Sequence, residues 1–324
     1  LIVYTPNVNI NKQNKQLKVC YAAGEEKSIR INDYETYIFF TGVNISTPAL
    51  LSLSSENKNV LFLNSKGDIK CQIFPYTNKN LDLKIKQYKF FEQNDNVLLL
   101  SKAVVKNKIT NSLNLFRTFG ITTVKKNFRA INKALSPIIK SVDTADSIEN
   151  LLGIEGNAAK LHFTYLSQFS TGSLHFQNRS QRPPKDEANA ILSFGYTLLT
   201  NIVNGLIIAH GLDPYLGFLH KPDYGRPSLA LDILEPYRSI IVDRFFLFHT
   251  NKNWFNKDDF ENKNNNAFYF NNDGIKKFFT FWYDFVFVQN TFIDLINNDI
   301  ELLIKTIRQN NTDFFINKAG NGND

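Results

Sequence analysis

Methionine is absent from this chain of 324 residues, and nothing in the sequence accounts for that. The chain opens at Leu1 with no initiator and reads as trimmed. Two cysteines, Cys20 and Cys71, are too few for a disulfide framework or a CxxC metal site. They read as two buried thiols. No signal peptide is visible, and no apolar run reaches the roughly 20 residues that span a bilayer. The expectation is a cytoplasmic protein without a membrane partner. Internal repeats are missing too, which excludes a solenoid. Residues 1–78 contain no histidine, and their acids fall in turns, so nothing there points to catalysis.

The most informative absence is of negative charge. From Asn96 to Val142 there is no Asp or Glu, while Lys102, Lys106, Lys108, Arg117, Lys125, Lys126, Arg129, Lys133 and Lys140 all fall there. A solvated helix face usually alternates its charge signs, so this segment reads as a surface for phosphates. The formal charge of +7 and pI near 9.1 add a weak prior for a polyanion.

What is present argues for a folded chain with a substantial core: 43% hydrophobic residues, 14% aromatic, and 29 Phe. The fold class expected is α+β, a small N-terminal β-sheet domain followed by a larger all-α domain. Residues 1–78 carry the short runs LKVCYA, YIFFTGV, ALLSLSS, NVLFLNS and DIKCQIF, punctuated by turn residues. They read as five or six strands. A polar linker follows at 79–84, then helical periodicity over 85–309, with Val97, Leu100, Val104, Ile109 and Leu113 on one face and the basic residues on the other. Asp186 opens a long helix through Ala209, which Gly211 stops after His210. Asn189, Ser193 and Tyr196 form a polar line on that helix, read first as side chains bonding nearby backbone. Residues 251–272, dense in Asn, Lys and Asp, read as a surface insertion, and 310–324 as a disordered tail.

Within Gly211–Arg244 one histidine, His220, lies in a Gly/Pro-rich turn directly before a helix bearing Asp232 and Glu235. Residues three apart share a helix face, so both acids can point back toward the histidine. Pro236 disfavours helical geometry at Glu235 and can aim it differently from Asp232. One imidazole and carboxylate oxygens make a divalent-metal site with open positions. Glu155, in LLGIEGNAAKLHF beside the small residues Gly156, Ala158 and Ala159, is a candidate further ligand. Taken alone, it reads as an ordinary glutamate ahead of a ligand. The acids and histidine could equally be structural, and His162, His175 and His249 read as packing residues. From residues alone the chain is a basic, metal-dependent nucleic-acid protein.

The ordered motifs resemble one family, the CRISPR-associated spacer-acquisition integrase, also described as a metal-dependent DNA endonuclease. They are Lys108-Ile109-Thr110-Asn111, Leu152-Gly153-Ile154-Glu155-Gly156, Arg182-Pro183-Pro184-Lys185-Asp186 with Asn189-Ala190 and Ser193-Phe194-Gly195-Tyr196, then Gly211-Leu212-Asp213-Pro214 through His220, Gly225-Arg226-Pro227 through Asp232, Glu235 and Arg238. Each is weak alone; their order and spacing are specific. The resemblance implies that Glu155, His220 and Glu235 hold Mg2+ or Mn2+, with Asp232 an additional catalytic acid. It implies attack by the 3′-hydroxyl of a foreign DNA fragment on a phosphodiester at the edge of a CRISPR repeat. The partners implied are double-stranded DNA, a second copy in a homodimer whose contact is expected in the N-terminal domain, and a small CRISPR-associated adaptation protein. Lys108, Lys160, Arg179, Arg182, Lys221 and Arg226 are the expected DNA contacts, on position and charge. Residues 251–272 and the tail from Asn310 lie outside the resemblance. Two readings compete: a metal nuclease on branched or single-stranded DNA that does not integrate, and a non-catalytic DNA-binding scaffold with structural carboxylates.

Overall fold

Alternating burial begins at Val8 and Ile10, which point inward while Asn9 and Asn11 face water, the period of a half-buried strand. The computed structural model describes residues 1–34, 36–56, 58–64, 69–73, 80–123, 125–180, 183–263, 267–313 and 315–316. The chain divides into two units, Leu1–Asn80 and Leu81–Asp324. Leu81 to Lys84, expected in a linker, are instead the first turn of a helix, α2 (Leu81–Phe91).

The first unit holds β1 (Ile2–Val3), β2 (Val8–Gln13), β3 (Gln16–Cys20), β4 (Glu26–Arg30), β5 (Thr36–Phe40), β6 (Val43–Ile45), α1 (Thr47–Ser55), β7 (Asn59–Leu63) and β8 (Ile69–Ile73). They form two four-stranded sheets, ordered β1-β5-β7-β8 and β4-β3-β2-β6. The β2–β3 hairpin turns through Asn14 at φ 56°, a conformation that Asn tolerates better than most residues. Val8, Ile10, Leu17, Val19, Tyr37 and Phe39 close an apolar core. ALLSLSS, expected as a strand, is helix α1. Pro48 suits a first helical turn, and Ala49 and Leu53, four apart, are the apolar residues it buries. A short apolar run does not by itself separate strand from helix. Neither cysteine is buried: Cys20 is half-buried and Cys71 exposed.

The second unit is helical apart from one described hairpin. Its helices are α2, α3 (Asn94–Thr123), α4 (Lys125–Asp143), α5 (Ile148–Phe169), α6 (Glu187–Ala209), α7 (Ser228–Leu234), α8 (Arg244–Asn251), α9 (Asn272–Tyr283) and α10 (Phe292–Gln309), with β9 (Phe260–Lys263) and β10 (Ala267–Phe270) between α8 and α9. Asp186 caps α6, its carboxylate accepting the Asn189 N–H at 2.7 Å, and Gly211 at φ 85° follows its C-terminus. Contrary to expectation, α6 is long and apolar enough to cross a membrane. Its apolar window has mean hydropathy 1.6, because the polar residues interrupting it are uncharged, and 61% of that window is buried inside the protein. It is the core helix of this unit, packed against α7 and β10.

The described residues of 251–272, expected as a surface insertion, pack into the unit. Phe255, Ala267 and Phe270 are buried, and the Phe268 N–H donates to the Pro184 carbonyl at 3.0 Å. The asparagines serve the backbone: Asn256 and Asn271 cap helical turns, and Asn253 takes φ 56°. Past α10, Phe315 meets the Phe218 ring at 6.4 Å, so the expected disordered tail begins with packed residues; 317–324 lie outside the described residues.

Candidate active site

The loop between α6 and α7 has almost no regular structure, yet it holds His220 in place through one side chain. Asp232, wholly buried on α7, accepts the backbone N–H groups of Phe218 (2.6 Å), Leu219 (2.9 Å) and His220 (3.1 Å), and lies 2.6 Å from the His220 ring Nδ1. A Cβ on Gly217 would stand 2.6 Å from the same carboxylate, so the chain must be bare there. Burial pushes the Asp232 carboxyl above its usual value, with His220 and the N–H donors pulling the other way. Asp232 is expected from sequence as an additional acid at the site; the geometry makes it the anchor of the histidine loop. With Nδ1 taken, Nε2 is the ring nitrogen left for another partner, an orientation that metal-binding histidines commonly need.

Glu235 points elsewhere. It ends α7, and the Pro236 carbonyl accepts from Asn111 Nδ2 of α3 at 2.9 Å. The chain continues in a π-helical turn, Arg238–Asp243. Lys108 of α3 bridges the two candidate carboxylates: its Nζ contacts Glu155 Oε1 of α5 and lies 2.5 Å from Glu235 Oε2. Arg238 Nε lies 2.9 Å from that same Glu235 oxygen. Burial works to raise the Glu235 carboxyl, but Arg238 and Lys108 outweigh it and hold the group down at about 2. Burial works to lower the Lys108 ammonium, and Glu235 with Glu155 reverses that, so its pKa is raised. His220 is close enough for its charge to act on Glu235.

Lys108, Glu155, Glu235 and Arg238 border a cavity of about 230 Å³ whose far wall sequence reasoning passed over. Ser112 Oγ and His162 Nδ1 are 2.6 Å apart, His162 Nε2 lies 2.8 Å from Asp243 Oδ2, and the Tyr196 hydroxyl donates to Asp243 Oδ1. His162, read as a packing residue, is seven residues beyond Glu155 and therefore on the same face of α5, a signal the sequence did carry. The polar line on α6 has a comparable role. Asn189 Oδ1 and Ser193 Oγ accept from Arg179 Nη1 at 2.9 and 3.1 Å, and the Arg179 and Arg238 guanidinium groups lie 5.5 and 4.9 Å from the Tyr196 ring centre.

The expected DNA contacts separate into kinds. Lys160 is exposed on the same helix as Glu155, and Arg226 is exposed on the histidine loop. Lys221 is exposed but lies 2.9 Å from Glu149. Lys108 is inward, between the carboxylates, where sequence periodicity put it on the solvent face. Arg179 is tied into the protein by the bonds above, although it lines, with Arg226 and Arg238, an open groove of about 710 Å³. Arg182 lies outside the described residues. Gly156 has nothing within 4 Å of where a Cβ would stand, so no other element packs on α5 at that position.

Among the described residues no group of three His, Cys, Asp or Glu side chains is already gathered around one point as a metal site. The donor set nonetheless suits a hard divalent cation, with two carboxylates and one imidazole nitrogen available. A cation also stands between the carboxylates, the Lys108 ammonium. Glu155 and Glu235 are the two acids that the fold brings to one point, on either side of that ammonium; His220 borders a different cavity.

Residues 1–284 match the family model described as CRISPR associated protein Cas1. The chain belongs to the Cas1 family. The match spans 251–272, which the motif resemblance had left out. A CRISPR-associated endonuclease Cas1 from Thermus thermophilus is 32% identical over 78% of this chain and 74% of its own length. Among solved structures, a CAS1 protein from Thermotoga maritima superposes with a TM-score of 0.81 at 24% identity, covering 95% of this chain and 97% of that one. A casposase bound to integration product gives 0.83 at 22%, covering 97% and 92%. At these identities the superpositions speak to the fold: a strand-rich N-terminal region followed by a helical domain, as Cas1 proteins have.

Proposed function

We propose that this chain is a metal-dependent DNA integrase of CRISPR adaptation, joining the 3′-hydroxyl ends of foreign fragments to the CRISPR repeat by transesterification. The observation that carries the reading is the convergence of Glu155 and Glu235 on one cation, with His220 turned by Asp232 so that Nε2 is left for use. Membership of the Cas1 family, with relatives named as endonucleases, supports it. Glu155, His220 and Glu235 hold Mg2+ or Mn2+, which supplies polarisation of a phosphoryl oxygen and a lowered pKa for the attacking hydroxyl. Asp232 keeps the imidazole tautomer and orientation. The 3′-oxygen forms the new phosphodiester bond as the repeat strand's own P–O bond breaks, so no external energy source is needed.

The DNA backbone is held by charge. Lys160 beside Glu155, and Arg226 on the groove wall, are exposed cations on either side of the site, and Lys221 and Arg182 extend the same sign along the chain. The bare backbone at Gly156 leaves room for a duplex to approach Glu155. The protein acts in the cytoplasm as a homodimer on double-stranded DNA, together with a small adaptation partner.

The relatives' names favour a second reading, an endonuclease that cuts branched or single-stranded DNA without joining it. Strand transfer on a synthetic branched DNA that mimics a half-integrated fragment separates the two. Wild type with Mn2+ or Mg2+ is expected to rejoin the repeat strand. Glu155→Ala, His220→Ala and Glu235→Ala are each expected to lose at least about a hundredfold in rate, with DNA affinity kept. Cutting without rejoining would select the endonuclease. Metal-independent binding with no turnover would leave a scaffold and remove the ligand assignment.

A further inference from the structure

The Lys108 ammonium occupies the space between two carboxylates that the proposed function gives to a metal ion, and it has the means to leave. Two carboxylates brought together away from water repel each other unless a positive charge separates them. Lys108 is that charge in the metal-free protein, reaching Glu155 and Glu235 from α3 across the gap between α5 and the end of α7. The other cation at the site, Arg238, cannot take the same part. It touches Glu235 alone, and its guanidinium packs over the Tyr196 ring at 4.9 Å within the buried wall of the cavity. A lysine is a point charge on a flexible stem, whereas an arginine so stacked is held in one geometry. The cavity of about 230 Å³ beside Lys108, lined also by Ser112 and Asp243, gives the displaced ammonium somewhere to go.

We propose that Lys108 is a resident counter-ion that a divalent metal must displace, so that metal entry and release of the Lys108 ammonium toward the cavity lined by Ser112 and Asp243 are one event. This rests on the metal reading above. It resolves an oddity of Lys108, which sequence places among the phosphate contacts and the fold places between carboxylates. Both positions belong to it, one in each state. The cost is metal affinity: the competent, lysine-out form is a fraction of the metal-free protein, and the apparent affinity falls by that fraction.

The test is direct Mn2+ binding to the full chain without DNA, read from the loss of the free-ion electron paramagnetic resonance signal. Lys108→Met keeps the length of the stem and removes the charge. It is expected to bind Mn2+ at least about tenfold more tightly than wild type, and to gain more in melting temperature from Mn2+ than wild type does. Glu155→Gln should abolish binding in both backgrounds. Equal affinity in wild type and Lys108→Met, with binding still lost in Glu155→Gln, would overturn the counter-ion while leaving the metal site standing. No Mn2+ binding by any of the proteins would overturn both. A second measurement needs no variant. Amine acylation of wild type, read by mass spectrometry, should rise at Lys108 when Mn2+ is added and stay level at exposed Lys160; unchanged or falling Lys108 labelling would overturn the proposal even if the variant failed to fold.

Discussion

The core of the sheet unit, from Val8 and Leu17 to Tyr37 and Phe39, holds no carboxylate and no guanidinium. The helical unit takes Asp232, Glu235 and Asp243 out of water along with the Arg238 guanidinium, and puts Glu235, Asp243 and Arg238 around one cavity. Removing a charge from water costs several kcal/mol unless partners compensate it. Among its described residues the first unit keeps its carboxylates and Arg30 exposed and buries Lys58 alone of its charged side chains, whereas the second meets the cost with ion pairs and hydrogen bonds converging on the same few residues. A fold assembled only for stability has no need of such a cluster. The contrast places chemistry in the helical unit without reference to any relative, and it predicts that the two units respond differently to substitution and to acid.

The largest effect should come from Asp232→Ala. It leaves three backbone N–H groups and the His220 ring without their acceptor in a buried place, and should destabilise the helical unit by about 3–5 kcal/mol. Urea denaturation followed by tryptophan emission is the measurement, since both tryptophans, Trp254 and Trp282, lie in that unit. A loss no greater than that of an exposed carboxylate would mean that the loop is held by something else.

Acid should sharpen the same contrast in two steps. His249 packs among Phe245, Trp254 and Phe281, and burial holds its pKa down from 6.5 to about 4. The folded state therefore resists protonation that the unfolded chain accepts, so stability falls as pH drops from 6.5 to about 4. Glu235 has its folded pKa depressed as well. Its contribution is present above 4.5 and is lost as pH falls toward about 2. Denaturation midpoints read by tryptophan emission should show both declines, and His249→Phe should remove the upper one. A variant with the unaltered upper decline would assign it to another group.

The smallest effect should be Lys221→Ala. Its pair with Glu149 joins side chains 79% and 70% exposed, where water and salt screen the attraction and little is added to folding. Stability should be unchanged within error, while DNA affinity should fall and its salt dependence flatten. A measurable loss of stability would make this pair part of the framework.

Much of the fold was legible because it rests on local chemistry. The α6 cap at Asp186 and the stop at Gly211 follow from side chains and backbone preferences within a few residues, as does the alternation of Leu17 and Val19. ALLSLSS was not, because one short apolar run suits either period, and Pro48 was the residue that decided it. Residues 251–272 misled through composition: Asn253, Asn256 and Asn271, which turn and cap the chain on either side of a packed hairpin, look, one at a time, like a solvated loop. At the site, the order of motifs singled out Glu155, His220, Asp232 and Glu235, and the seven-residue step from Glu155 to His162 was there to be used. The difference between the two acids of α7 was not legible. Three residues apart on one turn, Asp232 faces the backbone of 218–220 and Glu235 faces Lys108, because the helix ends between them.

By itself, the sequence determined that this chain carries a strand-rich segment before a helical one, that its positive charge is concentrated where no acid offsets it, and that an ordered set of acids and one histidine accompanies it. Those are properties of neighbours along the chain, set by period, cap and composition. Only the tertiary structure decided what each charge does. Lys108, Glu155 and Glu235 come from three separate elements, and no local preference says that an ammonium from α3 will stand between carboxylates of α5 and α7. Electrostatic partnership depends on distance in space and on the exclusion of water, and both arise only when the helices pack.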